Sequence, residues 1–253
     1  MIKSPADIEK MRATGKVVAT ALAAMKEAAA VGTTLKELDA IAAEVLETAG
    51  ATSPFLNYHP DWAPTPFPGS ICASVNDVVV HGIPGDYAIA DGDVVSIDFG
   101  AVLDGWCSDS ALTFIVGTPR EEDQMLLKAT ERALYDAIAV AVVGNTIGDI
   151  SYAVNSVARE YKLGNLKDHG GHGIGREMHM DPFIPNQGRK GKGLKLVEGM
   201  TICIEPMFIL GGKSGYKDHE DGWTVLSAKG GRAAHFEHTI AITADGPQIL
   251  SKL

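Results

Sequence analysis

The sequence predicts an α+β domain built from two similar halves. Three observations support it: repeated helix starts, repeated strand ends and a hairpin turn. With 253 residues, 45% of them hydrophobic, the chain can bury the core of one large domain. A fully parallel, doubly wound sheet fits less well, because the segments after Asp98 are patterned as hairpins. We expect a single catalytic domain over residues 1–253, with halves of roughly residues 1–118 and 119–253.

The predicted helices of the two halves begin alike. Residues 31–35 and 143–147 both read Val-Gly-x-Thr followed by an apolar residue, and both precede an apolar stripe with helical spacing. Thr34 and Thr146 are each followed three positions later by an acidic residue, which is typical of a capping box. Another helix is predicted from about residue 121 to 143, between the halves.

The predicted strands repeat as well. An apolar strand that follows a turn glycine ends on Asp98 in the first half and on Glu205 in the second. The segments 81–83 and 172–174 both read His-Gly-Ile. The helix starts, the strand ends and the His-Gly-Ile segments thus recur in the same order, which indicates a duplicated half. A two-fold arrangement of the halves would place Asp98 and Glu205 on opposite sides of one central site.

A hairpin turn brings two aspartates together. Asp104-Gly105 is a favoured two-residue turn, and with it Asp98 faces Ala111 while Asp109 faces Gly100. The two aspartates are then diagonal neighbours on one face, about 7–8 Å apart at the backbone. Two carboxylates at so short a distance repel each other. The repulsion raises the pKa of one of them and lowers the stability of the fold unless a cation lies between them. The alternative is a pair of solvated strand aspartates.

Three more residues could complete a metal site. Glu205 ends an apolar run directly before Pro206, and Glu237 begins a strand with small residues on its own face. His172 lies in the segment 169–175, whose glycines let the backbone wrap closely while presenting an imidazole. Each glutamate alone is equally well a surface residue. With the two aspartates, the set predicts a site for two divalent cations, and therefore a hydrolase.

Composition and missing motifs exclude other functions. A net charge of −10 and a pI near 5.2 argue against a nucleic-acid binder, and no apolar run approaches the roughly 18 residues of a membrane span. The three widely spaced cysteines indicate reduced thiols in a cytoplasmic protein. The sequence has neither a Gly-x-Ser-x-Gly elbow nor an HExxH pair. Cys72 or Cys107 could act as a nucleophile, but both are better interpreted as small buried residues.

In order along nearly the whole chain, the segments that carry these residues resemble the type I methionine aminopeptidases of the pita-bread metallopeptidase family. Besides Asp98 and Asp109, the matching segments are Asn57–His59, Ser74–Asp77, His81–Pro84, Gly171–Gly175, Thr201–Met207, Asp221–Val225 and Phe236–Thr239. The resemblance implies a pita-bread fold: a duplicated half with pseudo-two-fold symmetry and an antiparallel sheet with helices on its outer face.

The resemblance also implies a metal-dependent enzyme that removes the initiator methionine from nascent proteins and peptides when the second residue is small. Asp109, His172, Glu205 and Glu237 would hold one divalent ion. Asp98 would hold a second, with Asp109 and Glu237 bridging. Such ligands suit Co, Mn, Fe, Zn or Ni, and the sequence does not choose among them.

By the same resemblance, the metals would lower the pKa of a bridging water to about 7, and the resulting hydroxide would attack the scissile carbonyl. Glu205 would be the general base. His179 would hydrogen-bond the developing oxyanion, and His81 would contact the scissile amide. The methionine pocket would be formed by Tyr58, Cys72, Met178 and Trp223.

Three departures from the family pattern concern the rim of this pocket. The stretch 61–69, with three prolines, replaces a shorter loop, and it belongs to a Pro-rich segment, 54–69, that can hold little regular structure. Phe55 stands where relatives often carry a smaller residue. His169 is an additional imidazole beside the ligand-bearing loop.

Two alternatives stay open within the same fold. One is an Xaa-Pro peptidase of the aminopeptidase P or prolidase kind, although those enzymes normally carry a sizeable N-terminal domain. The other is a non-catalytic binding module, although such relatives have lost ligands that are all present here. A type II methionine aminopeptidase would need a long insertion between His172 and Glu237. The expected partners are nascent N-terminal methionines and, transiently, the ribosome, with no nucleic acid or membrane and a monomeric state.

Overall fold

The structure is a computed structural model that describes residues 2–253, which form four helices and fourteen strands. The helices are α1 (Pro5–Ala28), α2 (Leu35–Ala49), α3 (Glu121–Ala139) and α4 (Ile147–Glu160). The strands are β1 (Cys72–Val75), β2 (Val78–Val80), β3 (Asp93–Leu103), β4 (Trp106–Val116), β5 (Gly164–Asn165), β6 (Gly170–Gly173), β7 (Met180–Pro185), β8 (Thr201–Ile204), β9 (Met207–Ile209), β10 (Tyr216–Asp218), β11 (Val225–Ser227), β12 (Ala233–His235), β13 (Glu237–Thr243) and β14 (Gly246–Ile249).

Both predicted capping boxes are present. Glu37 accepts the backbone N–H of Thr34 at 2.7 Å, and Asp149 accepts that of Thr146 at 2.8 Å, so each N-cap N–H is paired with the acidic side chain three positions later. The helix expected over 121–143 ends earlier, at Ala139. The residues that follow turn away to pair with Leu196, whose carbonyl accepts the N–H of Gly144.

The main sheet is antiparallel throughout its paired strands. Its order is β1-β3-β4-β13-β8-β6-β7, and β14 pairs with β13 outside that path. Two small sheets, β10-β11-β2 and β12-β9-β5, flank it. Because β13 lies in the middle of the main sheet, the last part of the chain joins the β3–β4 hairpin to β8.

The β3–β4 hairpin has the predicted register. Asp104 and Gly105 both adopt positive φ, 50° and 73°, as a tight two-residue turn requires. Asp98 pairs with Ala111, and Gly100 pairs with Asp109. The two aspartates therefore share one face of the sheet as expected.

The helices pack on the opposite face. Ile97 and Phe99 of β3 belong to one core with α1 and α2, while Ile202 and Ile240 belong to another with α3 and α4. The partly buried Leu112 contacts both cores, so both lie on one side of the sheet. The other side is left for a cleft. This curled antiparallel sheet with helices outside confirms the predicted fold class. The single domain and the boundary between its halves stay a prediction.

Candidate metal centre

Neighbouring strands of the main sheet each contribute one of the predicted ligands. In the order β3, β4, β13, β8 and β6, the ligands are Asp98, Asp109, Glu237, Glu205 at the first position after its strand, and His172. Register explains part of this convergence, because Ala111 pairs with both Asp98 and Glu237. The structure therefore brings together residues that are up to 139 positions apart in the chain.

Glu237 is the centre of the cluster. In each of three groups of residues, one ligand atom per residue lies within 4.8 Å of the others, and Glu237 belongs to all three. The groups are Asp98–Asp109–Glu237, Glu205–His235–Glu237 and His172–Cys203–Glu237. The first group is the set predicted for the second metal. Of the set predicted for the first metal, Asp109, His172 and Glu205 each belong to a different group, and Glu237 joins them.

The electrostatics of the cluster fit a divalent cation. Asp98 Oδ1 and Glu237 Oε1 are buried without a hydrogen-bond partner. Burial, followed by the charges of Asp109 and Glu205, raises the pKa of both Asp98 and Glu237. Burial and the charge of Glu205 raise the pKa of Asp109 to about 7. Unpaired buried carboxylates this close together favour a bound cation, and a set of oxygens with one imidazole suits divalent transition metals.

The imidazole of His172 is prepared as a ligand. Its Nδ1 lies 3.0 Å from the carbonyl oxygen of Gly173, so Nδ1–H donates there and Nε2 carries the free lone pair. Burial lowers its pKa to about 3, which keeps the ring neutral. A Cβ at Gly171 or Gly173 would collide with the carbonyl of Cys203 or Asp181, respectively. The glycines of this segment are therefore required for β6 to pack tightly between its neighbours.

Thr239 fixes the backbone beside Asp109. Its hydroxyl accepts the N–H of Asp109 at 2.9 Å and donates to the carbonyl oxygen of the same residue at 2.8 Å. The sequence suggested Thr239 only as a small neighbour of Glu237. These two hydrogen bonds extend beyond the backbone pairing of β13 with β4, which ends at His238 and Ser110.

Sequence reasoning missed two residues of the cluster, Cys203 and His235. Strand alternation could have found both, because each lies two positions before a predicted ligand. Cys203 Sγ lies 3.5 Å from Thr239 Oγ1, and burial raises the pKa of the thiol, so it stays protonated. Nε2 of His235 lies 3.3 Å from Glu205 Oε2.

A cleft of about 450 Å³ opens onto the cluster, a volume typical of ligand sites. All the residues predicted to act in catalysis or substrate binding line it. Beyond the metal ligands, these are Tyr58, Cys72, His81, Met178, His179 and Trp223. Burial raises the pKa of Cys72, which argues against the open possibility of a thiolate nucleophile. The same holds for Cys107, whose pKa burial raises to about 11.

Two neutral imidazoles face the cleft. His81 adopts a left-handed φ of 59° in the turn after β2, and burial lowers its pKa to about 3. The ring of His179 packs edge-on against His172, with centroids 4.4 Å apart, and its Nδ1 lies 3.4 Å from the hydroxyl of Tyr58. Partial removal of this ring from water lowers the pKa of His179. A neutral ring keeps one N–H donor for a substrate.

The Pro-rich loop is irregular as predicted, and it forms an aromatic wall of the cleft. The indole N–H of Trp223 donates to the carbonyl of Thr65 at 3.0 Å, and the rings of Trp62 and Phe67 lie 5.1 Å from that of Trp223. The side chain of Asp221 accepts the N–H of Trp223 at 2.8 Å. Trp223 is thus held between the loop and its own turn.

His169 also lines the cleft. Its ring packs edge-on against Tyr216, with centroids 4.8 Å apart, and lies 6.4 Å from the ring of His81. Burial lowers its pKa. The additional imidazole noted in the sequence is therefore part of the cleft wall.

Residues 9–244 match metallopeptidase family M24. The chain is 49% identical to methionine aminopeptidase 1 of Mycobacterium tuberculosis, over 98% of this chain and 94% of the relative. The crystal structure of methionine aminopeptidase from Thermotoga maritima superposes with a TM-score of 0.95 at 38% identity, covering 100% of this chain and 99% of that one. Prolidase from Pyrococcus furiosus superposes with a TM-score of 0.77 at 25% identity, covering 100% of this chain and 65% of that one.

A curled antiparallel sheet that gathers carboxylates and an imidazole on its inner face defines a metal-dependent hydrolase. The chain belongs to metallopeptidase family M24. This membership confirms the family expected from the sequence and implies that the protein uses divalent metal. In residues 2–253, no helix is both long and apolar enough to cross a membrane.

Proposed function

We propose that the chain is an aminopeptidase that uses two divalent metal ions to remove the initiator methionine from nascent proteins and peptides whose second residue is small. One observation carries this proposal: the carboxylate cluster opens directly into a cleft with an apolar, aromatic wall. The names of the similar proteins from Mycobacterium tuberculosis and Thermotoga maritima support the same activity.

The proposed ligands divide into two sets. Asp109, His172, Glu205 and Glu237 would hold one metal ion, and Asp98 would hold the other with Asp109 and Glu237 bridging. The donors are compatible with Co, Mn, Fe, Zn or Ni. Bound metal would supply Lewis acidity for the scissile carbonyl and a lowered pKa for the attacking water.

The remaining chemistry belongs to side chains around the cleft. Glu205 would take the proton of the attacking water, because it lies at the end of β8 and faces the same space as the other ligands. His179 would donate to the oxygen of the scissile carbonyl as negative charge develops. His81 would hydrogen-bond the scissile amide and assist the leaving amine. Both imidazoles have lowered pKa values and so act as neutral donors.

The methionine side chain would lie in the apolar part of the cleft. Tyr58, Cys72, Met178 and Trp223 would form its walls, and Trp223 is braced by the Pro-rich loop. A thioether packs well against aromatic rings and other sulfur atoms because it is polarisable and unbranched. This pocket would select methionine, while the space beyond the scissile bond would select a small second residue.

The second candidate is an Xaa-Pro peptidase, which the structural match to prolidase favours. The decisive experiment is a peptide assay with chelator-treated protein and single metals added back. We expect release of methionine from Met-Ala-Ser only with added metal, and no cleavage of Ala-Pro-Ser. Cleavage of the proline peptide without methionine release would support the second candidate.

We further propose a monomeric cytoplasmic enzyme that contacts the ribosome transiently. The three cysteines are unpaired and buried, which suits a reducing compartment. Size-exclusion chromatography tests the monomer, and co-sedimentation with ribosomes at low salt tests the contact. A stable dimer, or no co-sedimentation, would refute the respective part.

A further inference from the structure

His235 is a buried imidazole that points at a proposed ligand. Its side chain is 2% exposed, and its Nε2 lies 3.3 Å from Glu205 Oε2. The same nitrogen makes no aligned hydrogen bond with any described residue. A buried polar atom without a partner is costly, so a group this close to a carboxylate needs a reason.

The backbone of His235 is held from both sides. Its N–H donates to the hydroxyl of Thr113 at 2.9 Å, and the same hydroxyl donates to its carbonyl oxygen at 2.7 Å. In the small sheet, His235 pairs with Met207, which lies two positions after Glu205. These contacts fix the backbone of His235 beside the strand that leads to Glu205.

The two oxygens of Glu205 face different imidazoles. Oε1 lies 3.9 Å from Nε2 of His172, the nitrogen left free by the bond between Nδ1 and Gly173. Oε2 lies 3.3 Å from Nε2 of His235. Since Nε2 of His172 is prepared to bind metal, Oε1 is the oxygen on the metal side. Oε2 is then free to accept from a protein donor.

We propose that His235 is a positioning residue for Glu205. A small rotation of the ring would align its Nε2–H with Oε2, and this hydrogen bond would keep Oε1 on the side of His172. A carboxylate held in place before metal arrives loses less rotamer freedom on binding, and groups that orient ligands in this way raise metal affinity. This inference rests on the proposed metal site and adds to it a residue outside the ligand set.

A pair of amide variants tests the role of Nε2. In His235→Gln the amide nitrogen reaches the position of Nε2, whereas in His235→Asn it reaches only that of Nδ1. We expect calorimetric titration of metal-free protein with Mn²⁺ to give a dissociation constant close to wild type for the Gln variant. We expect the Asn variant to bind roughly 10–100-fold more weakly. His59→Gln serves as the control, because it removes an imidazole outside the cluster.

Several outcomes would overturn the positioning role. If the Asn variant binds Mn²⁺ as tightly as wild type, Nε2 of His235 does not position Glu205. Equal weakening of both amide variants would favour direct ligation of metal by His235. Melting of the metal-free variants checks that they fold, and His235→Leu replaces an Asn variant that does not. A wild-type protein that binds no Mn²⁺ would refute the metal site itself, which distinguishes that failure from failure of the His235 role alone.

Discussion

Thr239 holds Asp109 by two hydrogen bonds from a single hydroxyl, one to the backbone N–H and one to the carbonyl oxygen. The hydroxyl thus takes the place of a backbone partner at the point where the pairing of β4 with β13 ends. Asp109 is 3% exposed, so no bulk water can substitute for these bonds. The orientation of a proposed bridging ligand therefore depends on a side chain 130 residues away.

We expect Thr239→Val to lower the free energy of unfolding by about 1–3 kcal/mol, because it leaves the buried N–H and C=O of Asp109 unpaired. We also expect it to weaken Mn²⁺ binding. Urea unfolding and calorimetric titration measure the two effects. Thr239→Ser keeps the hydroxyl and should restore most of both; failure of the serine to restore them would show that the methyl group matters instead.

We expect Asp109→Asn to reduce methionine release by more than about a hundredfold, because the amide cannot bridge two cations and losing a ligand exceeds the 10–100-fold effect of groups that only orient ligands. The measurement is kcat/KM on Met-Ala-Ser at saturating metal. The matched control is Asp104→Asn in the turn of the same hairpin, which accepts Asn as readily as Asp. An active Asp109→Asn protein would contradict the dinuclear site.

Although Asp109→Asn should reduce activity, we expect it to stabilise the metal-free protein. The pKa of Asp109 is raised to about 7 in the folded chain, above its unfolded value of about 4. Its contribution to stability is therefore full below about pH 4 and is lost as the pH rises through about 7. We expect metal-free Asp109→Asn to gain in melting temperature over wild type between about pH 5 and pH 8.

This pH comparison uses the difference between the two proteins, which reports the titration of Asp109 together with the effect of its charge on the pKa of Asp98 and Glu237. Calorimetry in the presence of chelator supplies the melting temperatures. A difference that stays constant over this pH range would show that Asp109 does not titrate there.

We expect Trp62→Ala to raise the KM for Met-Ala-Ser roughly 2–10-fold with little change in kcat. Trp62 is 64% exposed, yet its ring packs against Trp223 in the proposed methionine pocket, and such aromatic pairs contribute about 0.5–1.5 kcal/mol. Steady-state kinetics provide the measurement. Trp62→Phe should keep KM close to wild type, and an unchanged KM in the alanine variant would exclude Trp62 from the pocket wall.

Features set by local sequence were predictable. Asp104-Gly105 determined the hairpin register, and that register alone placed Asp98 and Asp109 on one face. The capping residues Thr34 and Thr146 located two helix starts for the same reason, since each signal lies within four residues of the structure it specifies.

Features set by distant contacts were not predictable from spacing. The end of α3 depends on pairing with Leu196, and the position of His235 depends on Thr113. Likewise, the Pro-rich loop becomes a cleft wall only through its contact with Trp223, which lies 158 residues beyond Thr65. The residue pattern supplied the five candidate ligands, and the family resemblance divided them between two metals, but neither pointed to His235.

Each of five neighbouring strands carries one proposed ligand, on the strand itself or, for Glu205, directly after it, and this arrangement has a consequence for folding. A slip of one residue in any of these strands turns its ligand toward the helices. A divalent ion therefore finds its complete set of ligands only in chains in which every one of these strands has the correct register. By mass action it draws the population toward that arrangement. In this protein the ion would stabilise the sheet with the correct strand register, in addition to any part it has in catalysis.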